Sequence, residues 1–163
     1  MILTPVAFAA YSLLKSQDMG QQRLLTTDDM ELNNFWDMRP SPDGKRLAYS
    51  RIGTDGVLCV RDLESGESTQ VTSGEFISTP VWSPDGKRIA YWVVQPAEAL
   101  KIVDVASRIS SIPRNTDGLK LWPKAWSPEG ERLLCVREVD ATTASLVSLA
   151  LERGEVTTLV TEG

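Results

Sequence analysis

Ser83-Pro84-Asp85-Gly86-Lys87-Arg88-Ile89-Ala90-Tyr91 is the stretch whose reading decides the fold. The same nine positions occur earlier as Ser41-Pro42-Asp43-Gly44-Lys45-Arg46-Leu47-Ala48-Tyr49. They return, more loosely, as Ser127-Pro128-Glu129-Gly130-Glu131-Arg132-Leu133-Leu134-Cys135. The three serines stand 42 and 44 residues apart. A fixed period of this size means that one supersecondary unit is repeated and stacked, because a single unit cannot bury its own apolar face.

Ser-Pro-Asp-Gly suits a type I turn: Ser favours the first position, Pro presets φ at the second, and Gly fits the fourth. Glu129 is compatible with the third position, which needs no positive φ, although loss of the Asp weakens the third turn. Each turn separates a short strand (Pro80 to Ser83, Lys124 to Ser127) from a longer one that starts at the Lys/Glu-Arg pair. In the second copy the longer strand is apolar on both faces. Ile89, Tyr91 and Val93 point one way, and Ala90, Trp92 and Val94 the other. Such a strand belongs to a sheet sandwiched between two others.

The phase continues beyond the motif. Asp62-Leu63, Asp104-Val105 and Ser148-Leu149 follow their serines at one common spacing, so the first half of every repeat reads without insertion or deletion. Glu64-Ser65-Gly66-Glu67 and Glu152-Arg153-Gly154-Glu155 read as glycine hairpin turns into an outer strand. That outer strand is expected to end at Thr72, Thr116 and Thr161, and Gln21 to Thr26 looks like the same element standing alone in front. Each repeat is thus a four-stranded antiparallel meander of about 40–45 residues, the size of one β-propeller blade. The fold class is all-β: three blades plus one extra N-terminal outer strand. The expected organisation is 1–20 leader or linker, 21–34 outer strand and connector, 35–76 blade 1, 77–120 blade 2 and 121–163 blade 3.

The block from Trp82 to Tyr91 (W-S-P-D-G-K-R-I-A-Y) resembles the TolB-like β-propeller repeat, a relative in architecture of the WD repeat. The resemblance covers roughly Gln21 to Gly163. The first copy departs from it by carrying Pro40 where the others carry Trp, and the third by lacking the Asp. The resemblance implies one of three roles. These are a periplasmic interaction propeller, the gating propeller of a prolyl oligopeptidase-like serine peptidase, or the sensor half of a membrane-anchored regulator. The lead-in Leu25-Thr26-Thr27-Asp28-Asp29-Met30 is similar in layout to the opening of the peptidase family's chains. Rings take about four to eight blades, so three are expected to need neighbours. Those would be further blades of the same protein or a second copy closing the ring.

Composition narrows the rest. The chain has 163 residues, 42% of them hydrophobic, and a net charge of −5 with both signs interspersed. No Lys/Arg cluster suited to phosphates occurs, so nucleic acid is not an expected partner. Cys59 and Cys135 lie mid-strand and read as buried free thiols. Met1 to Leu14 carries no charge, is too short for a comfortable membrane span, and contains Ala7-Phe8-Ala9, a small-x-small cleavage pattern. Two readings fit it, an export signal lacking its basic start or the tail of a membrane anchor. An ordinary short apolar strand or helix is the third. Either of the first two places the rest of the chain in the periplasm or outside the cell.

Residues for chemistry are few. The sequence has no histidine, no G-x-S-x-G elbow and no phosphate-binding glycine motif, so no catalytic residue, cofactor or metal is expected. Asp28, Asp29 and Glu31 match no calcium loop and read as a solvated connector. Trp82 and Trp126 precede their turns in register and read as repeat core. Trp36 and Trp122 fall near the ends of inner strands, where a propeller exposes its binding rim. They are the candidate contacts for a protein partner, with core packing the competing assignment.

Overall fold

The computed structural model describes residues 35–51, 56–140 and 142–162. The apolar N-terminal stretch, the Gln21–Thr26 strand and the Asp28–Glu31 acidic group lie outside those residues. Every regular element described is a strand. Blade 1 comprises β1 (Phe35–Pro40), β2 (Arg46–Arg51), β3 (Val57–Asp62) and β4 (Ser68–Gln70). Blade 2 holds β5 (Phe76–Trp82), β6 (Arg88–Gln95), β7 (Ala99–Asp104) and β8 (Ser110–Ser111). In blade 3, β9 (Leu121–Trp126), β10 (Arg132–Glu138) and β11 (Ala144–Ala150) lead to β12 (Glu155–Glu162). Each blade is a four-stranded antiparallel sheet in sequence order. Blade 2 opens at Phe76, which the sequence reading places at the end of blade 1.

The turns form as their residues dictate. Gly86 N–H donates to the Ser83 carbonyl (2.9 Å) at φ +67°. The Ser83 hydroxyl donates to Asp85 Oδ1 (2.6 Å) and accepts from Arg88 N–H (2.9 Å), while Lys87 N–H donates to the same carboxylate oxygen (3.0 Å). Ser41, Asp43, Lys45 and Arg46 repeat this set. In the third copy the Ser127–Gly130 backbone bond persists (2.9 Å), and Arg132 N–H reaches Ser127 Oγ at a longer 3.2 Å. The turn therefore survives Glu129, with a slacker serine contact.

Two landmarks need correction. Arg46 pairs with Asp62, Arg88 with Asp104, but Arg132 with Ala150, so the third repeat's central hairpin is two residues longer. Ser148 faces Leu134 instead. Strand side chains alternate with a period of two, so a two-residue insertion leaves the apolar pattern intact and hides itself. The threonines also differ from the expectation. Thr72 and Thr116 lie beyond β4 and β8, whereas Thr161 is inside β12. Thr116 is buried in the connector, its hydroxyl donating to the Pro113 carbonyl (2.7 Å).

The blades stack in chain order, with inner strands β1, β5 and β9 side by side. Ala48, Leu58 and Val60 of blade 1 meet Ile77, Ile89, Tyr91 and Val93 of blade 2. Ala90, Trp92 and Leu100 on the other face of blade 2 meet Leu121, Leu133, Cys135, Val147 and Leu149 of blade 3. The two-faced reading of β6 holds from Ile89 to Val93, while Val94 runs past the packed zone and is 44% exposed. Each fully buried Leu or Ile contributes about 1.5–3 kcal/mol, so these two seams hold the blades together.

Both seams also carry the same polar clasp. Arg46 lies over the Trp82 ring (4.9 Å to its centre) and donates through Nη2 to the Gly86 carbonyl (2.7 Å). Trp82 Nε1 donates back to the Arg39 carbonyl (3.0 Å). One seam on, Arg88 lies over Trp126 (4.7 Å) and donates to the Gly130 carbonyl (2.9 Å), and Trp126 Nε1 donates to the Val81 carbonyl (2.9 Å). Thus Trp82 and Trp126 are seam residues, each held by a cation–π contact and one hydrogen bond of its own, with a second bond from the arginine to the turn glycine.

Candidate functional site

A blade stack has two rims, and here they differ in character. One carries the three Ser-Pro-x-Gly turns, whose polar groups are occupied by the turns and the clasps. At the opposite rim β1, β5 and β9 begin and β2, β6 and β10 end, and there the three blades share no motif.

Both tryptophans singled out from the sequence are on this second rim. Trp36 pairs with Ser50 through the backbone at the start of β1, and Trp122 pairs with Val136 near the start of β9. The Trp36 side chain lies outside the described residues. Trp122 is 36% exposed and stacks on the buried Trp92 of blade 2, with ring centres 6.1 Å apart and planes at 29°. It therefore contributes one face to the seam and leaves the remainder to solvent. Exposed Val94 and Val139 stand at the ends of β6 and β10 on the same rim.

Between blades 1 and 2 this rim opens into a cleft of about 300 Å³ lined by Asp37, Ser50, Arg51, Phe76, Ile77 and Val94. Its floor is shaped by a repeated bulge. Asp37 (φ +51°) and Thr79 (φ +52°) take left-handed conformations where β1 and β5 shift register, and Thr79 N–H donates to Asp37 Oδ2 across the seam (3.0 Å). Non-glycine residues held at positive φ cost about 1–3 kcal/mol each and persist only where the surroundings fix them. Between blades 2 and 3 the rim is charged. Lys120 Nζ bridges Glu138 (3.1 Å) and Glu98 (3.6 Å), and the Glu138 hydrogen bond foremost holds its ammonium above the ordinary lysine pKa.

A larger, shallower and more polar cleft of about 580 Å³ lies near the outer strands, lined by residues that include Gln70, Glu75, Arg108 and Ser110. Beneath it the Tyr91 hydroxyl donates to Glu75 Oε2 (3.2 Å) and accepts from Ser110 Oγ (2.9 Å), and Lys101 pairs with Glu75 Oε1. Burial above all keeps this phenol protonated, well above the usual tyrosine range. The set joins blade 2's strands and satisfies a buried hydroxyl, which is a structural task.

The thiols are free and buried, as the sequence suggests. Burial pushes Cys135 up to about 12 and raises Cys59 as well, so neither is a ready nucleophile. Among the described residues no three His, Cys, Asp or Glu side chains gather in a way that could hold a metal ion. No helix long and apolar enough to cross a membrane occurs among the described residues. The second rim thus offers exposed apolar and aromatic side chains flanked by an ion-paired lysine. The Arg–Trp–Gly clasp escaped the sequence reading, although its signal, Arg and Trp at fixed places in each motif, was present.

The three packed meanders with their inner strands together define a β-propeller segment. In fold its blades are similar to those of TolB and of protease propellers. No family model matches the chain. A putative TolB from Agrobacterium tumefaciens superposes with a TM-score of 0.69 at 22% identity, over 82% of this chain and 51% of that one. The β-propeller domain of the Trilobed protease from Pyrococcus furiosus gives 0.60 at 18% identity, over 80% and 43%. In sequence the chain is 28% identical over 123 residues to the uncharacterized peptidase YuxL of Bacillus subtilis, spanning 69% of this chain and 19% of that relative. The chain therefore spans about half or less of each of these three proteins.

Proposed function

We propose that the chain is a non-catalytic propeller module that binds a protein partner through the rim where β1, β5 and β9 begin. The carrying observation is the placement of Trp122, anchored on Trp92 and 36% exposed beside a charged bridge. A rigid aromatic with one open face is the usual energetic centre of a protein contact. The opposite rim repeats one motif for structural reasons, whereas this rim differs from blade to blade, as a recognition surface must. The uncharged Met1–Leu14 stretch, with its Ala7-Phe8-Ala9 pattern, supports an exported module in the periplasm or outside the cell.

Site-specific photo-crosslinking in the source cells tests this reading. A crosslinker at Val94 or Trp122 is expected to give one discrete protein adduct, and one at Lys87 on the turn rim none. Equal yields from both rims, or no adduct at Val94 and Trp122, would sink it.

One observation favours a second reading, the gating propeller of a serine peptidase: the sequence relative is a peptidase of which this chain spans 19%. Reading the coding sequence beyond Gly163 separates the two. A G-x-S-x-G elbow with a later histidine supports the peptidase, and further blades followed by a stop support the module.

A further inference from the structure

Among the described residues Arg51, exposed at the end of β2, takes part in no hydrogen bond or ion pair, yet it lines the cleft between blades 1 and 2. The other charged lining residue, Asp37, is already committed, because its Oδ2 accepts from Thr79 N–H (3.0 Å). Phe76, Ile77 and Val94 supply the apolar part of the cleft. Its shape is set by backbone. Glu75 N–H donates to the Gly56 carbonyl (3.0 Å), and a side chain at Gly56 would collide with the Glu75 carbonyl, so the start of β5 is pinned against the start of β3. Val94 stands two residues beyond Trp92, on which Trp122 stacks. Two strand residues span roughly 6–7 Å, so one short extended segment can touch the cleft and this tryptophan together.

We propose that this cleft takes an apolar side chain of an extended partner segment whose neighbouring residue is acidic, the carboxylate pairing with Arg51. The inference rests on the reading of this rim as a partner-binding surface and names the chemistry that the surface selects. The cleft, at about 300 Å³, is at the lower end of the range of ligand pockets, about 300–1,000 Å³. That suits one leucine-sized side chain with its flanking backbone rather than a folded element. A guanidinium fork meets both oxygens of a carboxylate, which fixes the direction of the segment as well as its charge. A segment without an acid would cover Arg51 and leave it desolvated and unpaired. One with a lysine at that place would set two cations against each other and find Asp37 already accepting a hydrogen bond. Attraction and repulsion thus select the same partner.

The test titrates the full chain with three capped hexapeptides of otherwise glycine, carrying leucine–aspartate, leucine–lysine or glycine–aspartate at the centre. Binding is followed by the NMR amide signals of Phe76 and Ile77. The leucine–aspartate peptide is expected to bind about tenfold more tightly than the glycine–aspartate one, through burial of the leucine. It should also bind about fivefold more tightly than the leucine–lysine one, the effect of a single ion pair open to solvent. In an Arg51→Glu chain of unchanged melting temperature that second preference should reverse. Val94→Asp, at a position 44% exposed and so outside the packed core, should abolish binding of both leucine peptides. No saturable binding by any peptide overturns the proposal, as does a wild-type preference for lysine. So do a charge preference that Arg51→Glu leaves unchanged and a Val94→Asp chain that binds as the wild type does. Peptides that ignore Arg51 overturn the cleft's role even where Val94 and Trp122 crosslink to one discrete protein, so its failure is separable from that of the rim reading.

Discussion

The guanidinium of Arg88 lies 4.7 Å from the centre of the Trp126 ring, across the seam between blades 2 and 3. Arg46 stands in the same relation to Trp82 one blade earlier, at 4.9 Å. The motif's arginine and tryptophan thus belong to different blades. What looks in the sequence like a local signature is half of two successive interfaces.

The third turn is improvable. Glu129 stands where Asp43 and Asp85 each accept from a serine hydroxyl and a backbone N–H. Glu129→Asp restores an acceptor at that reach and should stabilise the chain by about 0.5–1 kcal/mol. Urea denaturation measures it, as a higher midpoint at unchanged slope.

Gly154 should not tolerate a side chain. It sits at φ +66°, and a Cβ there would land inside van der Waals contact with the Arg114 carbonyl of the blade 2–3 connector. Asn115 Nδ2, donating to the Arg153 carbonyl (3.2 Å), fixes the connector against the same turn. Gly154→Ala therefore combines backbone strain with a clash, for an expected loss of about 2–4 kcal/mol. Gly74, also at positive φ, has open space around it. Gly74→Ala carries the strain alone and should cost about 1–2 kcal/mol in the same denaturation series.

Acid should destabilise the turns. Asp85 is held below its ordinary value of 3.8, first by the Ser83 hydroxyl and then by Lys87 N–H, and Asp43 is held down likewise by Ser41 and Lys45. A carboxylate whose folded pKa is depressed contributes stability that is whole above the unfolded value. That contribution is lost as pH falls through the folded one. The melting temperature should accordingly fall below about pH 4. Asp85→Asn, which cannot titrate, should make that fall shallower; an unchanged slope would remove Asp85 from the account.

Much of this architecture was legible in the residues. The Ser-Pro-Asp-Gly turns announce themselves through the fixed φ of Pro42 and Pro84 and the positive φ that Gly44 and Gly86 accept. The sandwiched strand β6 was legible because Tyr91 and Trp92 are adjacent, large and apolar, so both of its faces had to be covered. The two added residues in the β10–β11 hairpin were not legible, since an even insertion preserves alternation. Nor was the clasp, because sequence spacing shows that Arg88 and Trp126 recur but not that they meet. The position of Trp122 on the rim could be read from its place at the start of an inner strand. Its stack on Trp92 could not, since that contact depends on how two blades are rotated against each other.

The seams hold the three blades together, and a double-mutant cycle on Arg88→Ala and Trp126→Ala tests them directly. Unfolding free energies of the wild type, both single variants and the double variant give the coupling between the two side chains. A coupling of about 1 kcal/mol is predicted, from the cation–π contact and the hydrogen bonds it aligns. Strictly additive losses would contradict the account, because the two residues would then stabilise their own blades without joining them.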